Sequence, residues 1–212
     1  MQRRTVLRQI AHTGALAMAG GLVLSRGAGA AVDRTPGQAE GPYYPVNKPR
    51  DLDWNLLRID QRDGMAGGEP LGLSGRVVGN DGRPLAGATV EIWQSDHQGN
   101  YNHPRAPGRA DFDAKFQGYG EVRTDAEGRY RFLTIVPVPY TSRPPHIHVK
   151  IRAPARDDLT TQLYIRDHPE NGRDGIFSSL LFPSKDRLMM DLRPAQLPNG
   201  LSGKTTTFDF VV

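Results

Sequence analysis

From Leu71 onward, apolar and polar residues alternate in short runs, and no stretch carries the three-to-four-residue period of a long amphipathic helix. Strict alternation turns successive side chains to opposite faces, as in a half-buried strand. Residues 73–78, 88–93, 120–124, 129–134, 146–151, 160–166 and 206–212 read as strands of this kind. Turn formers separate them, such as Asn80-Asp81-Gly82-Arg83-Pro84 and Asp125-Ala126-Glu127-Gly128, with 24 Gly and 17 Pro in the chain. The second of these turns is expected to join 120–124 to 129–134 as a hairpin. Residues 184–191 have room for a helical turn or two at most. Short strands at this spacing predict an all-β fold, an antiparallel β-sandwich with Greek-key-like connections. The 212 residues can bury a sizeable core without disulfides, and the chain has no cysteine.

Ahead of the strands lie two segments of different character. Residues 1–30 read as a twin-arginine-type export signal. Gln2-Arg3-Arg4-Thr5-Val6-Leu7-Arg8 precedes a short apolar, Gly-rich run over 15–24, and Ala28-Gly29-Ala30 suits a small-residue cleavage site. The apolar run is too short for a comfortable membrane span, so an exported, periplasmic or secreted protein is expected. Residues 31–69 read as an extended N-terminal arm, and 70–212 as the β-sandwich domain. The formal charge of +4 would suggest nucleic acid, but four of the 27 basic residues, Arg3, Arg4, Arg8 and Arg26, fall in the first 30. The rest of the chain is neutral and has no long basic run, which argues against a nucleic-acid partner.

The chemistry concentrates in Tyr140-Thr141-Ser142-Arg143-Pro144-Pro145-His146-Ile147-His148, read with Tyr101. On a strand, His146 and His148 share one face while Ile147, Val149 and Ile151 take the other. Two imidazoles on one face, joined by phenols from elsewhere, can supply four ligands to one metal. A phenol titrates near pH 10 when free and becomes a ligand at neutral pH only beside a strongly Lewis-acidic ion. Phenolate oxygen with imidazole nitrogen favours ferric iron over zinc or calcium. The remaining histidines after residue 30, His97, His103 and His168, lie among Asn, Asp and Pro and read as solvated loop residues.

These residues sit in five segments that resemble, in order, the intradiol ring-cleavage dioxygenases. Thr35-Pro36-Gly37-Gln38-Ala39-Glu40-Gly41-Pro42-Tyr43-Tyr44 is similar to the family opening. Trp93-Gln94, with Tyr101 eight residues after the tryptophan, resembles the segment carrying the first tyrosine ligand. Pro137-Val138-Pro139-Tyr140 resembles the segment carrying the second. Arg143-Pro144-Pro145-His146-Ile147-His148 is similar to Arg-Pro-x-His-x-His, and Thr161-Gln162-Leu163-Tyr164 to a strand lining the substrate pocket. With no long helical stretch near its N-terminus, the chain looks more like the protocatechuate branch than the catechol branch.

The resemblance implies a Fe(3+) cofactor held by Tyr101, Tyr140, His146 and His148, with a small aromatic diol and O2 as substrates. It makes Tyr101 the phenolate that stays bound and Tyr140 the one that leaves when the diol binds. Arg143 would stabilise negative charge on the substrate. Gln162 and Tyr164 are placed at the pocket, Trp93 as a candidate wall, and Tyr43 and Tyr44 as a cover from the arm. The products implied are cis,cis-muconate-type diacids. A homo-oligomer or a pairing with an unlike subunit is compatible with the family.

The sequence departs from the resemblance at one place. Only Thr141 and Ser142 separate Tyr140 from Arg143, where protocatechuate-type members carry a longer, Trp-containing insertion, so a more open pocket mouth is expected. A different reading rests on residues 75–92, whose pattern is also that of metal-free binding modules of the transthyretin-like or adhesin-like type. Such a module has no use for two tyrosines and two histidines brought together.

Overall fold

The computed structural model describes residues 32–181 and 184–212. The export-signal reading of residues 1–30 lies outside the described residues. Among the described residues, ten strands form two five-stranded sheets, with one four-residue α-helix and a few 3-10 turns.

Along the chain the strands are β1 (Pro70–Val78), β2 (Thr89–Trp93), β3 (Tyr119–Arg123), β4 (Arg129–Ile135), β5 (His146–Arg152) and β6 (Leu159–Ile165). A short helix α1 (Gly175–Ser178) precedes β7 (Met189–Met190), β8 (Arg193–Gln196), β9 (Ser202–Thr207) and β10 (Phe210–Val211). The first sheet sets β4 on one side of β1 and β9 with β10 on the other, with β8 outermost. The second runs β3-β2-β5-β6-β7. The chain changes sheet between β1 and β2, β3 and β4, β4 and β5, and β7 and β8.

The all-β sandwich reading holds, with a refinement. Most pairs are antiparallel, but β1 pairs in parallel with β9 and β10, and β6 with β7. The expected hairpin over 120–134 is not one. β3 pairs with β2 and β4 with β1, so Asp125–Gly128 is a corner between sheets. The Thr124 hydroxyl, accepting from Ala88 N and donating to Leu85 O, holds the end of β3 to its own sheet. The strand expected at 206–212 breaks at Phe208 and Asp209, where the Phe208 carbonyl accepts from Tyr130 OH and the Asp209 carboxylate from Arg76 N. Pro194 lies in β8, a strand the alternation did not reveal; this strand is paired on one side, where proline is tolerated.

Alternation then explains the core. Leu71, Leu73 and Val77 of β1 face Val90 and Ile92 of β2, Ile147, Val149 and Ile151 of β5, and Leu163 of β6, all fully buried. Burying each such side chain stabilises the fold by about 1.5–3 kcal/mol. Residues 32–69 contribute Leu56 and Leu57 to the same core, tied by Leu56 N to Leu133 O and Leu133 N to Trp54 O. The earlier part of this segment runs beside β6 and β10 through Gln38 N to Thr160 O and Thr35 N to Val211 O. It then crosses the outer face of the second sheet. No helix among the described residues is long and apolar enough to cross a membrane.

Candidate metal centre

The outer face of the second sheet carries the chemistry. Register sets Trp93 of β2, His148 of β5 and Gln162 of β6 in one row, and His146 of β5 opposite Tyr164 of β6 in the next. His146 and His148 share this face, as their spacing predicts, and both are buried. Their Nε2 atoms approach to 3.2 Å. The His146 Nδ1 lies 2.7 Å from Pro144 O, a contact that only a protonated Nδ1 can make favourably. Its Nε2 is then a bare lone pair turned toward His148. This is the arrangement that orients a metal-binding imidazole.

The two tyrosines arrive from opposite directions. After β2 the chain turns at Asp96, whose buried carboxylate accepts from Gln98 N, Asn100 N and Asp113 N. Gly99, at φ +85°, lets this loop lie against the segment before β5. A Cβ there would meet Pro139 O at 2.9 Å. The loop so placed brings Tyr101 edge-on to Tyr140, ring centroids 5.0 Å apart. Tyr140 lies 5.4 Å from His146 and Tyr101 6.3 Å from His148, again between ring centroids. The four rings named from sequence therefore converge.

Burial dominates their electrostatics. It drives His146 down to about 4 and His148 well below the ordinary imidazole value, so both rings are neutral. It drives Tyr101 well above the usual phenol range, and Tyr140 upward too, although Arg143 opposes the rise in Tyr140. The Tyr101 hydroxyl is buried without a hydrogen-bond partner. Such a group is destabilising unless something fills its coordination. Two neutral imidazoles and two phenols around one point fit a metal ion, whose charge would reverse the preference for protonated phenols. No group of three or more His, Cys, Asp or Glu suited to a metal occurs among the described residues.

The other residues named from sequence lie around these four rings. Arg143 Nη2 donates to Gln162 Oε1 at 2.7 Å and to Asp174 Oδ2 at 3.0 Å, with Tyr164 OH at 3.4 Å. Burial works against the Arg143 charge, but the Asp174 hydrogen bond and neighbouring negative groups outweigh it, leaving its pKa raised. Gln162 is held in turn by Ala39 O, and the Tyr164 hydroxyl lies 3.0 Å from both Gln38 Oε1 and Gln162 Oε1. Trp93 stacks on His148 and makes a T-shaped contact with Tyr44. Tyr43 packs on Tyr101 at 4.9 Å and on Tyr140 at 6.1 Å. Gly41, at φ +77°, sits over His148, where a Cβ would meet Cε1 at 3.1 Å.

Sequence reading missed Asp174 and Gln38. An Asp before Gly-Ile-Phe signals a helix cap, and Asp174 does accept from Ile176 N, but nothing local points to its arginine partner. His103 is corrected: it is buried rather than solvated, packed 5.6 Å from the Tyr43 ring, with Nδ1 accepting from Arg105 N. His97 and His168 are half-buried. A surface groove of about 1080 Å³ is lined by Arg50, Arg62, Arg109 and Phe112 and includes none of the four converging rings.

A family profile described as Dioxygenase matches residues 39–212. Catechol 1,2-dioxygenase 2 of Acinetobacter lwoffii is 34% identical over 184 residues, covering 77% of this chain and 61% of that enzyme. The protocatechuate 3,4-dioxygenase beta chain of Burkholderia cepacia is 35% identical over 156 residues, covering 70% of this chain and 66% of that one. The chain belongs to the intradiol ring-cleavage dioxygenase family.

Among solved structures, the dioxygenase domain of a dioxygenase carbohydrate-binding fusion from Streptomyces sp. SirexAA-E superposes with a TM-score of 0.65 at 36% identity. That match covers 85% of this chain and 98% of the other. The 3-chlorocatechol 1,2-dioxygenase of Rhodococcus opacus gives a TM-score of 0.64 at 26% identity, covering 83% and 71%. This intradiol family member spans about three fifths to two thirds of the two curated relatives' lengths. Their nearly equal identities do not assign it to the catechol or the protocatechuate branch.

Proposed function

We propose that this chain is a ferric intradiol dioxygenase that cleaves catechol-type aromatics between the two hydroxylated carbons, giving cis,cis-muconate-type diacids. The observation that carries the reading is the convergence of Tyr101, Tyr140, His146 and His148, with the His146 Nε2 lone pair turned inward. Ferric iron held by these four residues would supply the Lewis acidity to bind both catechol oxygens and make the ring reactive toward O2.

The chain's own residues have separable tasks. Tyr101 is the more deeply buried phenol and has no alternative hydrogen-bond partner, which suits a permanent ligand. Tyr140 adjoins a two-residue turn and Arg143, whose charge favours its phenolate. Burial nevertheless raises its pKa, so Tyr140 would be the donor suited to give way to the diol and hold a catechol proton. Arg143 offers a fixed cation to negative charge developing on the ring oxygens. Tyr43, Tyr44 and Gly41 roof the site from the N-terminal segment and limit water. Export through residues 1–30 belongs to the same proposal and is tested by cell fractionation.

Metal analysis with a visible absorption spectrum tests the assignment. Stoichiometric iron and a red to burgundy colour from phenolate-to-iron charge transfer are expected. A colourless protein with stoichiometric zinc, or a yellow semialdehyde product from cleavage beside the hydroxyls, would refute it.

A further inference from the structure

Arg143 carries an unusual load on one nitrogen. Gln162 and Tyr164 offer it dipoles, and Asp174 offers a full negative charge. The pair is largely dry, with side-chain exposures of 13% for Arg143 and 3% for Asp174. Asp174 is also fixed from the other side. Its second carboxylate oxygen accepts from Ile176 N at 3.1 Å in the first turn of α1, and its own N–H donates to Asn171 O. Asn171 in turn donates to Ile165 O at the end of β6, so the carboxylate is anchored to the strand that carries Gln162 and Tyr164. Its charge is felt at His146 and at Tyr164.

The consequence is a charge balance at the site. The cation beside the four donors is already paired with a buried anion. Two further cations on this sheet face are engaged too: Lys150 with Glu40, and Arg152 with Glu91. A ring carboxylate entering here would feel the charge of the buried Asp174, and could pair with Arg143 only by displacing it. Both are unfavourable, because desolvated like charges repel strongly and a buried carboxylate stripped of its partner is costly. A neutral ring substituent meets neither obstacle. We propose that Asp174, through its pairing with Arg143, is a specificity-determining residue that selects catechols with uncharged ring substituents over those carrying a carboxylate. This rests on the dioxygenase reading and narrows its substrate class.

The test compares catechol, 3,4-dihydroxybenzoate and the isosteric, uncharged 3,4-dihydroxybenzamide on the iron-loaded wild type, Asp174→Asn and Asp174→Ser. Dissociation constants are measured calorimetrically without oxygen, and kcat/KM in air. Asparagine and serine both retain helix-capping ability, so α1 keeps its start while the charge is lost. The wild type should favour the benzamide over the benzoate by at least about tenfold, as expected for unit charges several ångströms apart at an effective dielectric near 20. Both variants should bring that ratio close to one, in binding as well as turnover. A wild type that prefers the benzoate overturns the inference, as does an unchanged ratio in a variant that unfolds at the wild-type temperature and still binds catechol. Failure of the wild type to bind or cleave any of the three diols would instead refute the dioxygenase reading, and the inference with it.

Discussion

The Trp93 indole lies flat on the His148 imidazole, ring centroids 4.8 Å apart and planes 6° from parallel. His148 Nδ1 is buried without a hydrogen-bond partner, so beyond the Nε2 contact with His146 it is packing that orients this ring. Trp93 covers one side and the Gly41 backbone approaches its Cε1. Trp93→Ala should therefore act twice. Truncating a fully buried tryptophan costs about 3–5 kcal/mol of stability. It should also lower iron occupancy after dialysis, because His148 loses its fixed orientation. Trp93→Phe should retain more metal than the alanine variant. Chemical denaturation and metal stoichiometry measure the two effects, and full occupancy in Trp93→Ala would remove the tryptophan's orienting role.

Tyr101→Phe separates stability from chemistry. The hydroxyl is buried and unpartnered in the metal-free chain, so its removal relieves a desolvated polar group instead of breaking a bond. The apo variant should unfold at the same temperature as apo wild type, or a few degrees higher. The iron-loaded variant should show a weakened or shifted charge-transfer band and almost no turnover. A large drop in apo stability would mean that the hydroxyl serves the fold.

Arg143→Ala should leave the colour largely intact, since the guanidinium is held by Gln162, Tyr164 and Asp174 and is not one of the four donors. Turnover should fall by about 10²–10³, the usual effect of removing one fixed group that stabilises developing charge. Loss of iron from this variant would make Arg143 a structural residue.

Glu91 is fully buried beneath the N-terminal segment and gathers Tyr44 OH at 2.6 Å, Lys48 and Arg152. Glu91→Gln would remove one partner from two cations, but Lys48 keeps Glu121 at 2.7 Å, Arg152 keeps Asp158 at 3.4 Å, and both side chains, 34% and 40% exposed, can be hydrated. The cost should be about 1–3 kcal/mol, below that of breaking a fully dry pair. Tyr44 packs on Trp93, so proteolytic sensitivity around residues 40–50 should rise in parallel. Unchanged stability would show that the segment is held by other contacts.

What the sequence disclosed follows a physical divide. Alternation is local, so the shared face of His146 and His148 and the opposed apolar face of Ile147, Val149 and Ile151 could be read from it. Pairing is not local. Residues 120–124 and 129–134 look like hairpin arms, yet each finds its partner in a different sheet. The same limit hid Asp174, whose local pattern announces only a cap while its arginine lies 31 residues earlier. His103 misled for the opposite reason: its polar neighbours suggest solvent, and the fold places it under Tyr43.

The short link between Tyr140 and Arg143 bears on substrate breadth. Tyr140 N donates to Arg143 O and Arg143 N to Tyr140 O, at 3.3 and 2.9 Å, so the link is a closed two-residue turn. Thr141, at φ +50°, and Ser142 both point to solvent, and neither supplies a wall beside the donors. A missing wall removes only the contact energy it would have given, about 1–3 kcal/mol per apolar group, and it also removes the clash that excludes large rings. Uncharged catechols bearing progressively bulkier groups at C4 should therefore retain kcat/KM within about a hundredfold of catechol. The turn itself tolerates little change, because a residue with positive φ is strained, and Thr141→Gly should raise thermal stability without narrowing the substrate range. A steep loss of kcat/KM on going from 4-methyl- to 4-tert-butylcatechol would show that Tyr43 or Tyr44 closes the mouth instead, and the open-pocket reading would fail.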